Sequence, residues 1–451
     1  MENTLNKNGK KVAFHNLGCK VNTYELDAMT SLLVKKGYET VPFTEKADIY
    51  IVNTCSVTNI ADRKSRQMLS RAKTKNPEAI VVAVGCYVDT RAEELIKNEG
   101  IDLCIGNNRK GQIAEILEKF LEEREEDTAI IKADDKDAVY EQLHISGSQE
   151  HSRAFIKIQD GCNQFCTYCI IPFARGRARS RSMEDIVEEI RELTEKGFRE
   201  FVINGIHISS YGADFIYETS KADQFNPEAL LELLSKINSI EKVERIRLGS
   251  LEPRIITKDF VSTLSKLDKI CPHFHLSLQS GCDETLKRMN RHYSSEEYAH
   301  CVEILREYFE HPAITTDVIV GFPGEDEDEF SKSRDFVDKI KFFEMHIFKY
   351  SKRQGTIAAT MKQQLTDKEK SLRSDVLESI DKNNSKEFKD WYIGKDVSVL
   401  IEESKVIDGE EYSVGHTKQY VKIAIKADLK ANELATVNIT GHLNDEYMLA
   451  R

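Results

Sequence analysis

Ten cysteines punctuate a chain of 451 residues, and their spacing sorts them. Cys162, Cys166 and Cys169 fall within eight residues, CNQFCTYC. Three thiolates at this spacing can ligate three irons of a [4Fe–4S] cluster, leaving the fourth iron open to chelate a small molecule. A structural zinc wants four ligands, and only His151 or His207 could approach as the fourth. Three cysteines so spaced by chance would be rare in a chain with this cysteine content. Cys19, Cys55 and Cys86 form a second, dispersed set, in the stretches LGC, NTC and VGC. Cys104, Cys271, Cys282 and Cys301 are scattered singly.

The elements that must position these thiols are legible. KVAFHNLGC reads as a buried strand and TYELDAMTSLLVKKG as an amphipathic helix closed by Gly37. DIYIVNTC, AIVVAVGC and IDLCIG repeat the strand pattern, each followed by a helical stretch. Strands alternating with helices predict a parallel, doubly wound α/β sheet over residues 9–123. Cys19, Cys55 and Cys86 would each end a parallel strand, at the sheet edge where ligands bind. The competing reading is three ordinary buried thiols. Cys104 sits mid-strand, as a core residue would.

Residues 124–150 are rich in acids and read as a solvated connector, with one candidate strand at AIIKA. A second series begins at 151 and runs to 388. Its candidate strands are FIKIQ, FVINGI, RIRLGSLEP, FHLSLQS, ITTDVIVGFPG and EMHIFKYS. Six such units suit an open, partial (βα)6 barrel, with the cysteine cluster just after its first strand. Thr366 and Glu369 spell a capping box that opens a helix running to about Phe388. Residues 389–451 switch to short alternating strands and predict a small all-β barrel or sandwich.

The formal net charge of −12 gives no global signal for nucleic acid, so any RNA contact must be local. Arg175, Arg177, Arg179 and Arg181 alternate directly after the cluster, beside Phe173. On an extended segment they would share one face and could grip phosphates. Further patches are Arg63, Lys64, Arg66, Arg71, Lys73 and Lys75, and Lys287, Arg288 and Arg291. The acidic last segment weakens bulk-charge binding there, which leaves His416, Tyr420 and Lys422 as polar and aromatic candidates. Charged residues make up 31% of the chain, and no apolar run approaches the roughly 18 residues of a spanning helix. With no hydrophobic signal core in MENTLNKNGK, a cytoplasmic protein that meets no membrane is expected.

CNQFCTYC resembles the CX3CXΦC motif of radical S-adenosylmethionine enzymes, with Tyr168 in the aromatic place. GCKVN, NTCSVT and GCY, followed by that motif and a small β-domain, resemble the methylthiotransferase family within that group. The resemblance covers about residues 11–451. It implies two [4Fe–4S] clusters, one on each cysteine triad, S-adenosyl-L-methionine as cofactor, and a carboxy-terminal TRAM domain that binds RNA. The triad Cys162, Cys166 and Cys169 would be catalytic, initiating a deoxyadenosyl radical. The cluster on Cys19, Cys55 and Cys86 would carry or deliver sulfur. CKVN, NGIHISSYG and CIIPFARG look most like the branch that acts on N6-threonylcarbamoyladenosine in tRNA, at position 37 beside the anticodon. Relatives acting on isopentenyladenosine tRNA or a ribosomal protein are the alternatives, with a non-catalytic Fe–S RNA-binding protein as a reading from another class. The family's anchor for the methionine amino group falls at INGIHI, so Asn204 and Gly205 take that place. Ser250, Glu252 and Gln279, at further strand ends, are expected to touch S-adenosylmethionine. The anticodon stem-loop of tRNA and a reductant protein such as flavodoxin or ferredoxin are the expected partners of a monomer.

Overall fold

A computed structural model of the chain describes residues 9–123, 129–132, 139–145, 153–217 and 224–451. The first block runs β1 (Lys11–Asn16), α1 (Lys20–Lys35), β2 (Glu39–Val41), β3 (Ile49–Thr54), α2 (Asn59–Lys75), β4 (Ile80–Gly85), α3 (Cys86–Glu99), β5 (Leu103–Ile105), α4 (Ile113–Glu123) and β6 (Ala129–Ile131). Its strands form one parallel sheet in the order β2-β1-β3-β4-β5-β6. Helices cover both faces, so the central strands are apolar runs with little alternation. All six residues of β3 are buried, and neighbours Val12 and Ala13 belong to apolar cores on opposite faces. The chain turns to one side after β1 and to the other from β3 onward. The crevice between their carboxyl ends is therefore a topological switch point, the usual ligand edge of such sheets.

The second block runs β7 (Arg153–Asp160), α5 (Ile171–Arg175), β8 (Arg179–Ser180), α6 (Met183–Glu195), β9 (Glu200–Gly205), α7 (Pro227–Asn238), β10 (Arg245–Leu248), α8 (Lys258–Leu264) and β11 (His273–His275). It continues with α9 (Asp283–Arg288), α10 (Ser295–Tyr308), β12 (Ala313–Val320), α11 (Glu327–Ile340), β13 (Glu344–Lys349) and α12 (Asp367–Asp390). All six expected barrel strands are present. They pair as β10-β9-β7-β8 and β11-β12-β13, and the bridges Ile246–Ile270 and Leu251–Leu276 join the two groups. Among the described residues no pairing links β13 back to β7, so the barrel stays open on that side. The capping box at Thr366 and Glu369 is formed and starts α12.

Period-two alternation divides the barrel strands. Ile156, Phe201, Ile246, Phe274 and Val318 pack into the apolar core beneath the helices. Their strand neighbours on the other face are Phe155, Glu200, Arg247, His275 and Asp317. A closed barrel fills its interior with branched apolar side chains. This one is lined largely by polar groups, which suits a wet cavity that takes a polar ligand.

The last block is a closed barrel of β14 (Asp396–Ile407), β15 (Glu410–His416), β16 (Lys422–Ile425), β17 (Leu434–His442) and β18 (Met448–Ala450), in the order β14-β15-β16-β18-β17. Its core shares Ala313 and Phe343 with the barrel strands. Arg245 donates to the carbonyls of His416 and Ser398, and Arg247 to that of Lys418. The small barrel thus closes the amino-terminal mouth of the large one.

The connector departs from expectation. β6 pairs with β5 and extends the first sheet, while Tyr140, Leu143 and Ile145 are buried. Its apolar residues dock even though its charges suggest a solvated run. Of its acids, Glu141 accepts from the Gly111 N–H at 2.7 Å, and the others, with His151, lie outside the described residues. No described helix is long and apolar enough to cross a membrane.

Candidate active site

The CNQFCTYC loop leaves the carboxyl end of β7 and is held on all sides. Gly161 has φ +70, and a Cβ there would lie 2.0 Å from the Arg177 carbonyl, so only glycine fits. The Cys162 N–H donates to the Gly176 carbonyl at 3.1 Å. Thr167 donates through its N–H to the Met289 carbonyl and through its hydroxyl to the Arg288 carbonyl. Burial and the neighbouring thiols push Cys162 up to about 12 and Cys169 higher still. Thiols crowded so closely want a cation to replace their protons. Arg291 donates to the Cys166 sulfur at 3.4 Å and pairs with Glu252 at 2.7 Å.

The second triad is built by the sheet. Cys19 caps α1, Cys55 follows β3 and Cys86 opens α3, all at the carboxyl edge beside the switch point. Gly18, at φ +109, brings the α1 entry so close that an added Cβ would lie 3.0 Å from the Cys55 sulfur. Cys86 accepts from Asn107 Nδ2 at 3.6 Å. Burial and the other two thiols raise Cys55 to about 12. Cys19 is likewise raised, foremost by burial, although its residue keeps accessible surface. Both hold for a thiol on the wall of a concave cavity.

One buried network connects the two groups. Arg175 ends α5, just after the CNQFCTYC loop, and pairs with Glu25 of α1 at 2.8 Å and Asp160 of β7 at 3.1 Å. Its other nitrogen donates to Asn22 at 2.8 Å. Glu25 also binds Lys110 and Lys157, and Asp160 also binds Lys157 and Arg179. Burial alone would raise the Glu25 carboxyl, but Arg175, Lys110 and Lys157 hold it well below the usual range. Four bases meet two acids here, a surplus of two positive charges. Asp89 and Glu141 lie nearby, but burial raises them to about 6 and about 7, so the network balances only when both are ionised. Arg175 lies within electrostatic reach of Cys19, Cys55 and Cys86. Buried charge needs a counter-charge, and thiolates on a metal cluster beside Arg175 would supply it. The residues therefore fit such a group. A separate clamp steadies the Cys55 side, where Arg353, beyond β13, pairs with Asp62 at 2.6 Å and donates to Ser56 at 2.9 Å.

Three of the four arginines read as phosphate grips are corrected by this geometry. Arg175 and Arg179 belong to the network, and Arg181 is buried against Glu189. Only Arg177 is exposed, with its guanidinium 4.6 Å from the Phe165 ring centre and Phe165 edge-on to exposed Phe173. His416 and Tyr420 stack on each other and face the arginines at the barrel mouth, and Lys422 pairs with Glu446, so none of these three is a free RNA contact.

Among the expected cofactor contacts, Asn204 is buried with its Nδ2 unpartnered, a donor waiting for an acceptor. Gly205 lies so close to Gln159 that a Cβ would sit 3.0 Å from its carbonyl oxygen. Gln279 adopts φ +70 at the barrel edge, and Ser250 is exposed. Tyr168 turns edge-on to Phe322, into the wall beneath the loop. Glu252 is not free. Burial opposes its charge, but Arg291, His207 and Arg254 around it lower it to about 2. Sequence reasoning missed Glu25, Asn22, Lys110, Lys157 and Asp160, whose meeting needs the tertiary fold.

Residues 156–337 match the Radical SAM superfamily model, and residues 11–106 match Uncharacterized protein family UPF0004. The chain is 39% identical over 417 residues to the threonylcarbamoyladenosine tRNA methylthiotransferase MtaB of Bacillus subtilis (strain 168), covering 92% of this chain and 90% of that one. The protein of the same name from Aquifex aeolicus (strain VF5) is 39% identical over 407 residues, covering 89% and 95%. A tRNA-2-methylthio-N(6)-dimethylallyladenosine synthase of Thermoanaerobacter sp. (strain X514) is 34% identical over 440 residues, covering 96% and 91%. Among solved structures, the radical S-adenosylmethionine methyltransferase TsrM of Kitasatospora setae superposes with a TM-score of 0.55 at 14% identity, over 78% of this chain and 77% of that one, a likeness of fold alone. With both cysteine sets on their expected elements and this identity over nearly the whole chain, the chain belongs to the methylthiotransferase family of radical S-adenosylmethionine enzymes.

Proposed function

We propose that this protein transfers a methylthio group to C2 of N6-threonylcarbamoyladenosine at position 37 of tRNA. The observation that carries the reading is the Arg175 network, which ties two cysteine triads to neighbouring sides of one polar, open barrel. A [4Fe–4S] cluster on Cys162, Cys166 and Cys169 would supply the electron that cleaves S-adenosyl-L-methionine, and one on Cys19, Cys55 and Cys86 would present sulfur. The chain's own groups do the positioning. Arg291 holds charge against Cys166 and orients Glu252, while the unpartnered Asn204 amide and the Gln279 side chain would meet the cofactor's polar end. Ser250 adds a hydroxyl at the same edge. At the rim, Arg177 would meet a phosphate of the anticodon stem-loop and Phe173 a base. In this reading residues 9–123 carry the sulfur-bearing cluster, 151–388 the radical chemistry, and 389–451 an RNA-binding barrel of TRAM type. A cytoplasmic monomer reduced by a flavodoxin or ferredoxin fits it.

The test uses reconstituted protein, S-adenosylmethionine, reductant and tRNA carrying either threonylcarbamoyladenosine or isopentenyladenosine. Nucleoside mass spectrometry is expected to find the 2-methylthio derivative of the first. Product from isopentenyladenosine alone would overturn the assignment.

A further inference from the structure

Two histidines and an aspartate from three neighbouring strands meet on the inner wall of the barrel. His275 ends β11, Asp317 lies in β12 and His346 in β13. Thr315 pairs in register with His275, and Asp317 with His346. Met345 and Ile347 pack toward the apolar core, so period two turns His346 to the cavity, on the face that carries His275 and Asp317. The cluster sits at middle depth. His273, two residues before His275, has its ring 5.2 Å from that of Tyr420 in the small barrel, and Gln279 marks the carboxyl edge. β13 borders the barrel's gap, which opens the cluster on that side.

The side chains converge. One ligand atom from each of the three lies within 4.8 Å of the others. His275 Nε2 stands 3.4 Å from Asp317 Oδ2, and the two imidazole rings stack with their centres 5.6 Å apart. A tetrahedral ion with bonds of about 2.1 Å spaces its ligands about 3.4 Å apart, the separation already present between His275 and Asp317. His346 is exposed, so its ring can swing to close the rest. His275 Nδ1 lies 2.9 Å from the Thr315 hydroxyl. A proton on Nδ1 donates there and leaves Nε2 bare toward Asp317, the arrangement that orients a metal-binding imidazole. A simple ion pair explains less. One carboxylate balances one imidazolium, and a second charged ring beside it would be uncompensated. Two neutral imidazoles and a carboxylate instead offer three lone pairs to one cation.

We propose that His275, Asp317 and His346 bind a divalent first-row transition metal ion, apart from the iron held by the cysteines. Two nitrogens and one oxygen suit zinc or ferrous iron better than magnesium or calcium, which take oxygen. Three protein ligands leave a position open to the cavity, as in catalytic and not structural sites. Water, or a carboxylate or hydroxyl oxygen of the molecule in the barrel, would fill it. The inference does not depend on which nucleoside the protein modifies.

Full-length protein carrying its clusters would be dialysed anaerobically against zinc chloride, with zinc and iron counted together by elemental mass spectrometry. About one zinc per chain is expected, with no iron lost. X-ray absorption at the zinc edge should show nitrogen and oxygen at about 2.0–2.1 Å. His346→Gln and Asp317→Asn should each weaken zinc binding roughly tenfold or more while the iron stays. Because His346 is exposed, its variant is expected to fold even where Asp317→Asn does not. No zinc on the unmodified protein would overturn the proposal. So would zinc that displaces iron or shows sulfur at about 2.3 Å, since that assigns it to the cysteines. Unchanged zinc affinity in the His346→Gln protein would overturn it as well.

Discussion

The two cysteine triads reach similar ends by opposite routes. Cys162, Cys166 and Cys169 are gathered by their spacing in one loop, which Gly161 turns and which Thr167 ties to Met289 and Arg288. Cys19, Cys55 and Cys86 are gathered only when three parallel strands pair and end together. The first set is a motif and the second a property of the fold. A fault in tertiary packing should therefore spare the first triad and scatter the second. The Arg175–Glu25 network, which belongs to both halves, is where that difference can be tested.

The largest effect is expected from replacing Cys162, Cys166 and Cys169 with alanine. Iron should fall from about eight to about four per chain, and deoxyadenosine release should vanish. Iron near four in the unmodified protein would break the comparison at its root.

Next comes Glu25→Gln. It leaves Lys110, Lys157 and Arg175 around a neutral amide in a buried site, at a cost of about 3–5 kcal/mol. Chemical denaturation would read the loss, and the iron that remains should be held by the loop triad. Equal loss from both triads would show that the network serves overall stability alone.

Acid should act through the depressed carboxylates. Glu200 and Glu252 sit at about 2 in the folded protein against an ordinary 4.5. A lowered folded pKa stabilises above the unfolded value and is lost as pH falls through the folded one. Unfolding free energy should therefore decline between about pH 5 and pH 2. Glu252→Gln should flatten that decline, and an unchanged slope would mean that Arg291 does not hold the carboxylate in solution.

The smallest effect is expected at the rim. Arg177→Gln should weaken RNA binding and lower the log–log salt slope by roughly 0.7–0.9, one phosphate contact. Arg175→Gln should instead destabilise the fold, because that side chain is fully buried. Equal changes in salt slope for both would contradict their different burial.

Much of this was legible because it follows from periodicity. Strand ends placed the dispersed triad, six strand patterns marked an incomplete barrel, and Thr366 with Glu369 marked α12. β2 is three residues long, too short to show a period. The arginine row misled because alternation gives a side chain's direction and not its partner. Arg175 ends a short helix and Arg179 sits in a two-residue strand, and their acids lie in β7 and, at position 25, far away in the chain. Nothing in the surface pattern of α1 marks Glu25 as buried before α1 is docked on β7. Glu252 was read as free for a ligand because Arg291, its partner, is 39 residues away.

The central claim is that the dispersed triad serves sulfur insertion while the loop triad serves radical initiation. It is tested most directly by replacing Cys19, Cys55 and Cys86 together and counting both products in one reaction with tRNA. The account predicts that deoxyadenosine is still released and that no methylthio nucleoside forms. A methylthio product from that variant would contradict it and return these three residues to the ordinary buried core.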